Sequence, residues 1–125
     1  MELTLMPIVF VRDMAASVAF YQRLGFEAPR PVDDQWNELR AGDRAVLALH
    51  LSDAAPPDAE AAGGGHGRVE LAFVAPGRLE DVLRELRAAG ATIVRGITDE
   101  PFGRSLVVAD PDGLPLQVNE HRAPA

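Results

Sequence analysis

The sequence contains no cysteine, no long apolar run and no excess of basic residues, and each shortage excludes a class of protein. Without cysteine there are no disulfide bonds, thiolate metal sites or cysteine nucleophiles. No apolar run approaches the roughly 20 residues that a membrane-spanning helix needs, so we expect no membrane partner. The formal net charge of −7 argues against a nucleic-acid partner, because phosphates are bound by basic surfaces. The same charge would favour a cationic ligand, although an acidic composition is also explained by solubility alone.

The chain is long enough to fold on its own. Its 125 residues are sufficient for one domain that buries a hydrophobic core. No basic segment precedes the first apolar stretch, and Asp13 follows that stretch closely, so a signal peptide is not expected. We therefore expect a cytoplasmic protein.

One pattern occurs twice along the chain. Each copy has an apolar run, then a helical segment that ends at a glycine, then several strand-like segments. The first copy occupies about residues 1–51 and the second about residues 68–120, with the two helices ending at Gly25 and Gly90. Residues 52–67, rich in glycine and proline, are predicted to form a mobile linker. The pattern predicts an α+β fold made of two tandem β-α-β-β-β modules.

Both helices and one turn carry recognisable local signals. Asp13 is a suitable N-cap for the first helix, whose apolar side includes either Phe20 or Tyr21. The second helix is predicted to be amphipathic over residues 79–86. The Asp-Pro-Asp-Gly run at residues 110–113 predicts a tight turn between two late strands, and turn formation alone explains its composition.

Alternation along the predicted strands sorts their side chains onto two faces. One face of every strand is aliphatic and is predicted to carry the helices. The other face mixes apolar side chains with the polar groups of His50, Glu70 and Gln117. A mostly apolar surface with a few polar groups is typical of a small-molecule site, so this second face is predicted to line a ligand cavity.

Four motifs, in this order along the chain, resemble the glyoxalase/bleomycin resistance/dioxygenase group, the vicinal oxygen chelate superfamily. They are Pro7–Asp13, Ser17 to Tyr21, Leu24–Phe26, and Phe102–Arg104 through Asp110–Gly113. The resemblance covers nearly the whole chain. It implies paired β-α-β-β-β modules whose strands curl into a cup-like mixed sheet that dimerisation completes, so we expect a homodimer.

Enzymes of this superfamily are similar in holding a divalent metal with His, Glu or Gln from four inward positions. Carried over residue by residue, those positions fall on Met6, Ala48, Glu70 and Gln117. Ala48 offers no donor atom, and the thioether of Met6 suits softer metals. His50, two residues beyond Ala48 on the same face, is the one residue that could complete a metal site with Glu70 and Gln117. Otherwise it is a hydrogen-bonded imidazole in the cavity wall.

The bleomycin-resistance branch is the most similar part of the superfamily. The similar stretches are Arg40–Asp43 with Leu49–Ser52, and Gly103–Arg104 with Val108–Pro111. Proteins of that branch have no catalytic metal and sequester an antibiotic in clefts at a dimer interface, aided by an acidic surface and stacking aromatic rings. The resemblance therefore favours a binding protein without a cofactor over an enzyme, and the sequence leaves open whether the protein is an enzyme and whether it holds a divalent metal.

Two aromatic side chains are candidates for stacking on a planar ligand. Trp36 is the only tryptophan and shares its face with Glu38, although it could equally pack into a dimer contact. Phe102 precedes Gly103 in a loop expected at the mouth of the cavity. The complete predicted set of ligand-binding residues is Trp36, Glu38, His50, Glu70, Phe102, Arg104 and Gln117.

The sequence leaves functions from different classes open. The first is a metal-independent binding protein, a homodimer that holds a small cationic or aromatic molecule such as an antibiotic. The alternative is a metal-dependent glyoxalase-like lyase or dioxygenase, in which a divalent ion polarises a carbonyl group or binds vicinal oxygens. A third is metal-free catalysis with Glu70 as the general base.

Overall fold

The structure is a computed structural model that describes residues 5–53 and 70–121. The chain divides into two compact units, Met1–His66 and Gly67–Ala125. Within the described residues each unit holds one β-sheet and one α-helix, so the fold is α+β as the repeated pattern predicts. The predicted linker at 52–67 falls almost entirely outside the described residues. Neither described helix is long and apolar enough to span a bilayer.

The first unit is built from a central strand with a neighbour on either side. Its elements are β1 (Ile8–Val11), α1 (Met14–Arg23), β2 (Trp36–Ala41) and β3 (Ala45–Leu51). Strand β3 lies between the other two, parallel to β1 and antiparallel to β2. Strand β1 begins directly after Pro7. Pro7 accepts a hydrogen bond from β3 but has no N–H with which to continue the ladder.

The second unit repeats this arrangement with four strands. Its elements are β4 (Leu71–Val74), α2 (Leu79–Ala88), β5 (Thr92–Glu100), β6 (Gly103–Ala109) and β7 (Pro115–His121). The strand order is β4-β7-β6-β5, with β4 parallel to β7 and the other pairs antiparallel. In the first unit an isolated bridge from Glu27 to Arg40 takes the place of β5. Both units are thus copies of one topology.

The ends of the helices agree with the sequence signals. Asp13 caps α1 by accepting a hydrogen bond from a backbone N–H of the first turn at 3.1 Å. Gly25 and Gly90 follow the two helices with φ of 101° and 77°, a region that glycine enters without steric strain. Of the two aromatic candidates on α1, Tyr21 is fully buried and Phe20 only half-buried.

Each helix covers the aliphatic face of its own sheet. In the first unit the buried side chains are Val9, Val11, Leu39, Leu47 and Leu49, with Met14, Val18 and Tyr21 from α1. In the second they are Leu106, Val108, Leu116 and Val118, with Leu79 and Leu86 from α2. The alternate residues lie on the other face of each sheet, as the strand pattern predicts.

The tight turn predicted at residues 110–113 joins β6 to β7. Asp110 is buried, and its Oδ1 accepts hydrogen bonds from the N–H groups of Asp112 and Leu114, both at 2.9 Å. The Asp110 N–H donates in turn to the Leu114 carbonyl at 2.9 Å. This carboxylate therefore serves the turn, which confirms the structural interpretation of the motif.

A buried serine on α1 generates a stability prediction. The hydroxyl of Ser17 is fully buried and has no hydrogen-bond partner within the described part of the chain. An unpaired buried hydroxyl is costly, and alanine is the better helix former. We expect Ser17→Ala to raise the free energy of unfolding by about 1 kcal/mol, measured by urea denaturation.

Ser105→Ala is the matched control for this substitution. Ser105 is also buried, at 2% exposure, but its hydroxyl accepts a hydrogen bond from Arg95 at 3.2 Å. Its removal should lower the free energy of unfolding by about 1 kcal/mol. A Ser17→Ala protein that is less stable than the wild type would contradict the prediction.

Candidate functional site

The candidate site residues lie mainly on the helix-free faces of the two sheets. The helix-free face of the first unit consists of Ile8, Phe10, Trp36, Glu38, Arg40, Val46, Ala48 and His50. The helix-free face of the second unit consists of Glu70, Ala72, Arg95, Ser105, Val107, Gln117 and Asn119. These two surfaces differ in their chemistry. We call the first the aromatic face and the second the polar face.

Three rings lie side by side across the first of these faces. Trp36 pairs with His50 in the β2–β3 register, and their ring centroids are 5.8 Å apart in an edge-on arrangement. Phe10 of β1 pairs with His50 from the other side, with centroids 5.3 Å apart. The indole Nε1–H donates to Glu38 Oε2 at 3.2 Å. Phe10, Trp36 and His50 are all half-buried, so part of each ring is accessible.

The loop before β2 holds Trp36 in place. Asn37 is buried on the helix-facing side, where its Oδ1 accepts from the Asp33 N–H at 2.9 Å and its Nδ2 donates to the Asp33 carbonyl at 2.7 Å. Asp33 Oδ1 accepts from the N–H groups of Gln35, at 2.8 Å, and Trp36, at 3.1 Å. These two backbone donors lower the pKa of Asp33. An aspartate three residues before a strand is a turn signal, and it could have identified this support from sequence.

The methyl group of Ala48 occupies the middle of the aromatic face. Ala48 is fully buried and pairs with Ile8 on one side and Glu38 on the other. Its counterpart in the second unit is Gln117, which pairs with Ala72 of β4 as Ala48 pairs with Ile8 of β1. The position that bears an amide in the second copy therefore bears no donor atom in the first.

Glu70, Gln117 and Asn119 form a hydrogen-bonded row on the polar face. Gln117 Nε2 donates to Glu70 Oε1 at 3.1 Å, and Asn119 Nδ2 donates to Gln117 Oε1 at 3.2 Å. Glu70 is exposed just before β4. The structure thus brings together two of the predicted site residues, Glu70 and Gln117, and adds Asn119.

The residues do not fit the four-ligand metal site of the superfamily's enzymes. Glu70 and Gln117 supply oxygen donors, but Ala48 has none and the thioether of Met6 prefers softer ions. His50 lies among rings in the first unit. Across residues 5–53 and 70–121, no group of three or more His, Asp or Glu side chains is placed to hold a metal ion.

Phe102 lies outside both of these faces, in the turn between β5 and β6. Its ring is exposed and stands edge-on to that of His121, with centroids 5.7 Å apart. Whether it contacts a ligand stays a prediction. Phe10 and Asn119 were missing from the predicted set, although alternation from Met6 and from Gln117 would have placed both on these faces.

Arg104 lies on the helix-bearing face of the second sheet, opposite to Gln117. Its Nη2 donates to Glu80 Oε2 of α2 at 3.0 Å and to Glu120 Oε2 of β7 at 2.7 Å. Glu120 Oε2 also accepts the Leu79 N–H at 2.7 Å and so caps α2. This geometry gives Arg104 a structural role, and its contact with a ligand stays a prediction. In β6 it shares its face with the buried apolar residues and not with Ser105.

Comparison with known proteins agrees with the topology and with the repeated modules. The model of the Glyoxalase/Bleomycin resistance protein/Dioxygenase superfamily matches residues 4–118. The chain belongs to this superfamily. No curated protein sequence matches it.

Solved structures of the same fold carry different functional descriptions. A glyoxalase/dioxygenase from Nostoc punctiforme is 21% identical with a TM-score of 0.73, over 94% of this chain and 90% of that one. TioX from Micromonospora sp. ML1 is 18% identical with a TM-score of 0.70, over 97% and 100%. Lactoylglutathione lyase from Agrobacterium tumefaciens is 22% identical with a TM-score of 0.66, over 94% and 92%. At these identities the likeness establishes the fold and assigns no activity.

The ion pairs around Arg104 generate a prediction for acid stability. The hydrogen bond from Arg104, with that from the Leu79 N–H, lowers the pKa of Glu120 below its ordinary value of 4.5. A carboxyl whose pKa is lower in the folded state stabilises the fold above its ordinary pKa, and this stability is lost as pH falls through the folded value. We expect Glu120→Gln to have a lower Tm than the wild type near neutral pH. This difference in Tm should become smaller below about pH 4.

Glu85→Gln is the control for this pH series. Glu85 is exposed on α2 and belongs to none of the ion pairs around Arg104. Thermal unfolding of the three proteins across the acid range gives the comparison. A Tm difference between Glu120→Gln and wild type that stays constant at every pH would contradict the assignment.

Proposed function

We propose that this protein is a metal-independent small-molecule binding protein of the bleomycin-resistance type. It sequesters a planar, cationic ligand, such as an antibiotic, against the helix-free face of the first unit. The observation that carries the proposal is the row of rings formed by Phe10, His50 and Trp36. It lies on the same face as Ala48, the position at which an enzyme of this superfamily would need a metal-binding donor.

The aromatic face has the features that a planar ligand requires. Aromatic contacts contribute about 0.5–1.5 kcal/mol beyond their buried area, and three accessible rings are available. Glu38 places a carboxylate beside the indole of Trp36. Its ion pair with Arg40, at 3.8 Å between exposed side chains, is weak, so Glu38 remains available to a cationic group.

The donor chemistry of the family's metal positions supports metal independence. Ala48 has no donor atom, and the methyl group fills its place in the buried middle of the face. In the other copy, Gln117 uses its amide to link Glu70 with Asn119. The side chains of Glu70, Gln117 and Asn119 therefore orient one another by hydrogen bonds.

We propose further that the protein acts as a homodimer with the ligand in a cleft at the dimer interface. Ile8 is 46% exposed beside the half-buried Phe10 and Val46 on the aromatic face. An exposed apolar patch of this kind is characteristic of protein–protein contact surfaces. The same patch would border the bound ligand.

Tryptophan fluorescence tests the ligand-binding proposal directly. Trp36 is the only tryptophan, so its emission reports on the aromatic face alone. We expect metal-free bleomycin to change this emission in a saturable manner. Glu38→Gln should weaken the binding about two- to fivefold, because it removes one exposed charge pair with the ligand.

The control for the charge change is Glu85→Gln on α2. It alters the net charge equally, but Glu85 lies on the other unit's helix surface and should leave the affinity unchanged. No saturable change with bleomycin, or an equal loss of affinity in both variants, would count against the proposal.

Metal analysis separates this function from a lyase or dioxygenase. Protein purified without chelator should contain far less than one divalent ion per chain, and added divalent ions should not raise its Tm by mass action. Glu70→Ala is the diagnostic variant because Glu70 is the strongest remaining candidate ligand. A stoichiometric metal that is lost in Glu70→Ala would overturn metal independence.

A further inference from the structure

A second binding feature lies on the helix-free face of the second unit and does not rest on the proposed function. Arg95 of β5 is half-buried, and its guanidinium is held by Ser105 of β6. Nη1 donates to the Ser105 carbonyl and Nη2 to the Ser105 hydroxyl, each at 3.2 Å. Nη1 also donates to the Gly96 carbonyl at 3.1 Å and to the Thr98 hydroxyl. Register shifts in β5 on both sides of Arg95 turn this side chain out of the regular alternation.

These contacts leave one edge of the guanidinium unused. Arginine carries five N–H donors in a planar fork. Because Ser105 accepts a bond from each terminal nitrogen, it occupies the end of the fork between Nη1 and Nη2. The Nε–H and the second N–H of Nη2 have no acceptor among the described residues. These two N–H groups point in parallel along the edge to which a carboxylate binds with both oxygens.

The positive charge of Arg95 is also without a direct counter-charge. Within residues 5–53 and 70–121, no carboxylate oxygen lies within 4.0 Å of its nitrogens. Glu100 joins the network only through Thr98, whose hydroxyl donates to Glu100 Oε1 at 3.0 Å. All the oxygens that Arg95 contacts are neutral. A half-buried cation surrounded by neutral acceptors favours an anionic partner.

A buried acceptor without a donor stands beside this cation. Asn119 of β7 pairs with Ser105 in the β6–β7 register and is only 9% exposed. Its Nδ2 donates to Gln117, but its enclosed Oδ1 has no hydrogen-bond partner within the described part of the chain. Buried polar atoms are nearly always paired, so this oxygen lacks an O–H or N–H partner. Because the atom is enclosed, such a group reaches it only when the surrounding side chains move aside.

We propose that this corner of the second unit binds a small carboxylate that carries a neighbouring hydroxyl or amino group. The carboxylate takes the Nε–Nη2 edge of Arg95, and the adjacent donor pairs with Asn119 Oδ1. Ser105 holds the Arg95 guanidinium and pairs with Asn119 in the β6–β7 register, so both groups border Ser105. A simple carboxylate would satisfy Arg95 but leave Asn119 unpaired.

Glycolate and acetate are matched probes for this site because they differ only by the hydroxyl group. We expect glycolate to shift the NMR signals of the Arg95 Nε–H and the Asn119 side-chain amide in a saturable manner. Acetate should bind about fivefold more weakly, since it has no donor for Asn119. Arg95→Gln should abolish the saturable shift of the Asn119 amide. Arg87→Gln, an exposed charge change on α2, should leave it intact.

The outcomes that overturn the proposal are equally specific. They are equal affinity for acetate and glycolate, wild-type titration of Arg95→Gln, or no saturable shift at either group. If Arg95→Gln does not fold, Asn119→Leu provides the second test, since the two probes should then bind equally. Trp36 emission reports on the first unit and these NMR signals on the second, so this inference and the proposed function can fail separately.

Discussion

The alternation of side chains along each strand, together with the need to bury one aliphatic face beneath a helix, is the constraint on which both units depend. In β3, Leu47 and Leu49 lie on the helix-bearing face, so Ala48 and His50 have to lie on the other. Gln117 in β7 follows the same rule. A slip of one residue would expose the leucines and bury the polar groups, so the register is fixed by the hydrophobic effect. The chemistry of the helix-free faces follows from that register.

The two copies have kept one topology while their helix-free faces have diverged. Backbone hydrogen bonds and the buried aliphatic residues define the topology, and neither depends on the side chains of the opposite face. The first copy could therefore place Ala48 and Trp36 where the second has Gln117 and Ser105. An aromatic surface and a polar surface result from the same arrangement of strands. A fold of this kind hosts several functions because only these positions need to change.

Local sequence patterns fail where regular alternation breaks or where partners are distant along the chain. Arg95 could not be placed in advance, because register shifts interrupt β5 on both sides of it. Arg104 matches a motif of the family, yet its partners Glu80 and Glu120 lie 24 and 16 residues away and hold it on the helix-bearing face. A motif records residue types in order and contains no information about which face the final register selects.

Short-range patterns were sufficient for the elements of the repeat, the ends of the helices and the turn at residues 110–113. Each of these depends on residues within a few positions of one another, where backbone geometry and side-chain chemistry act directly. The edge-on contact of Trp36 with His50 and the hydrogen bonds from Arg95 to Ser105 arise from pairing between separate strands. Such pairs form only when strands distant in sequence align. The burial of whole faces determines that alignment, and no single residue does.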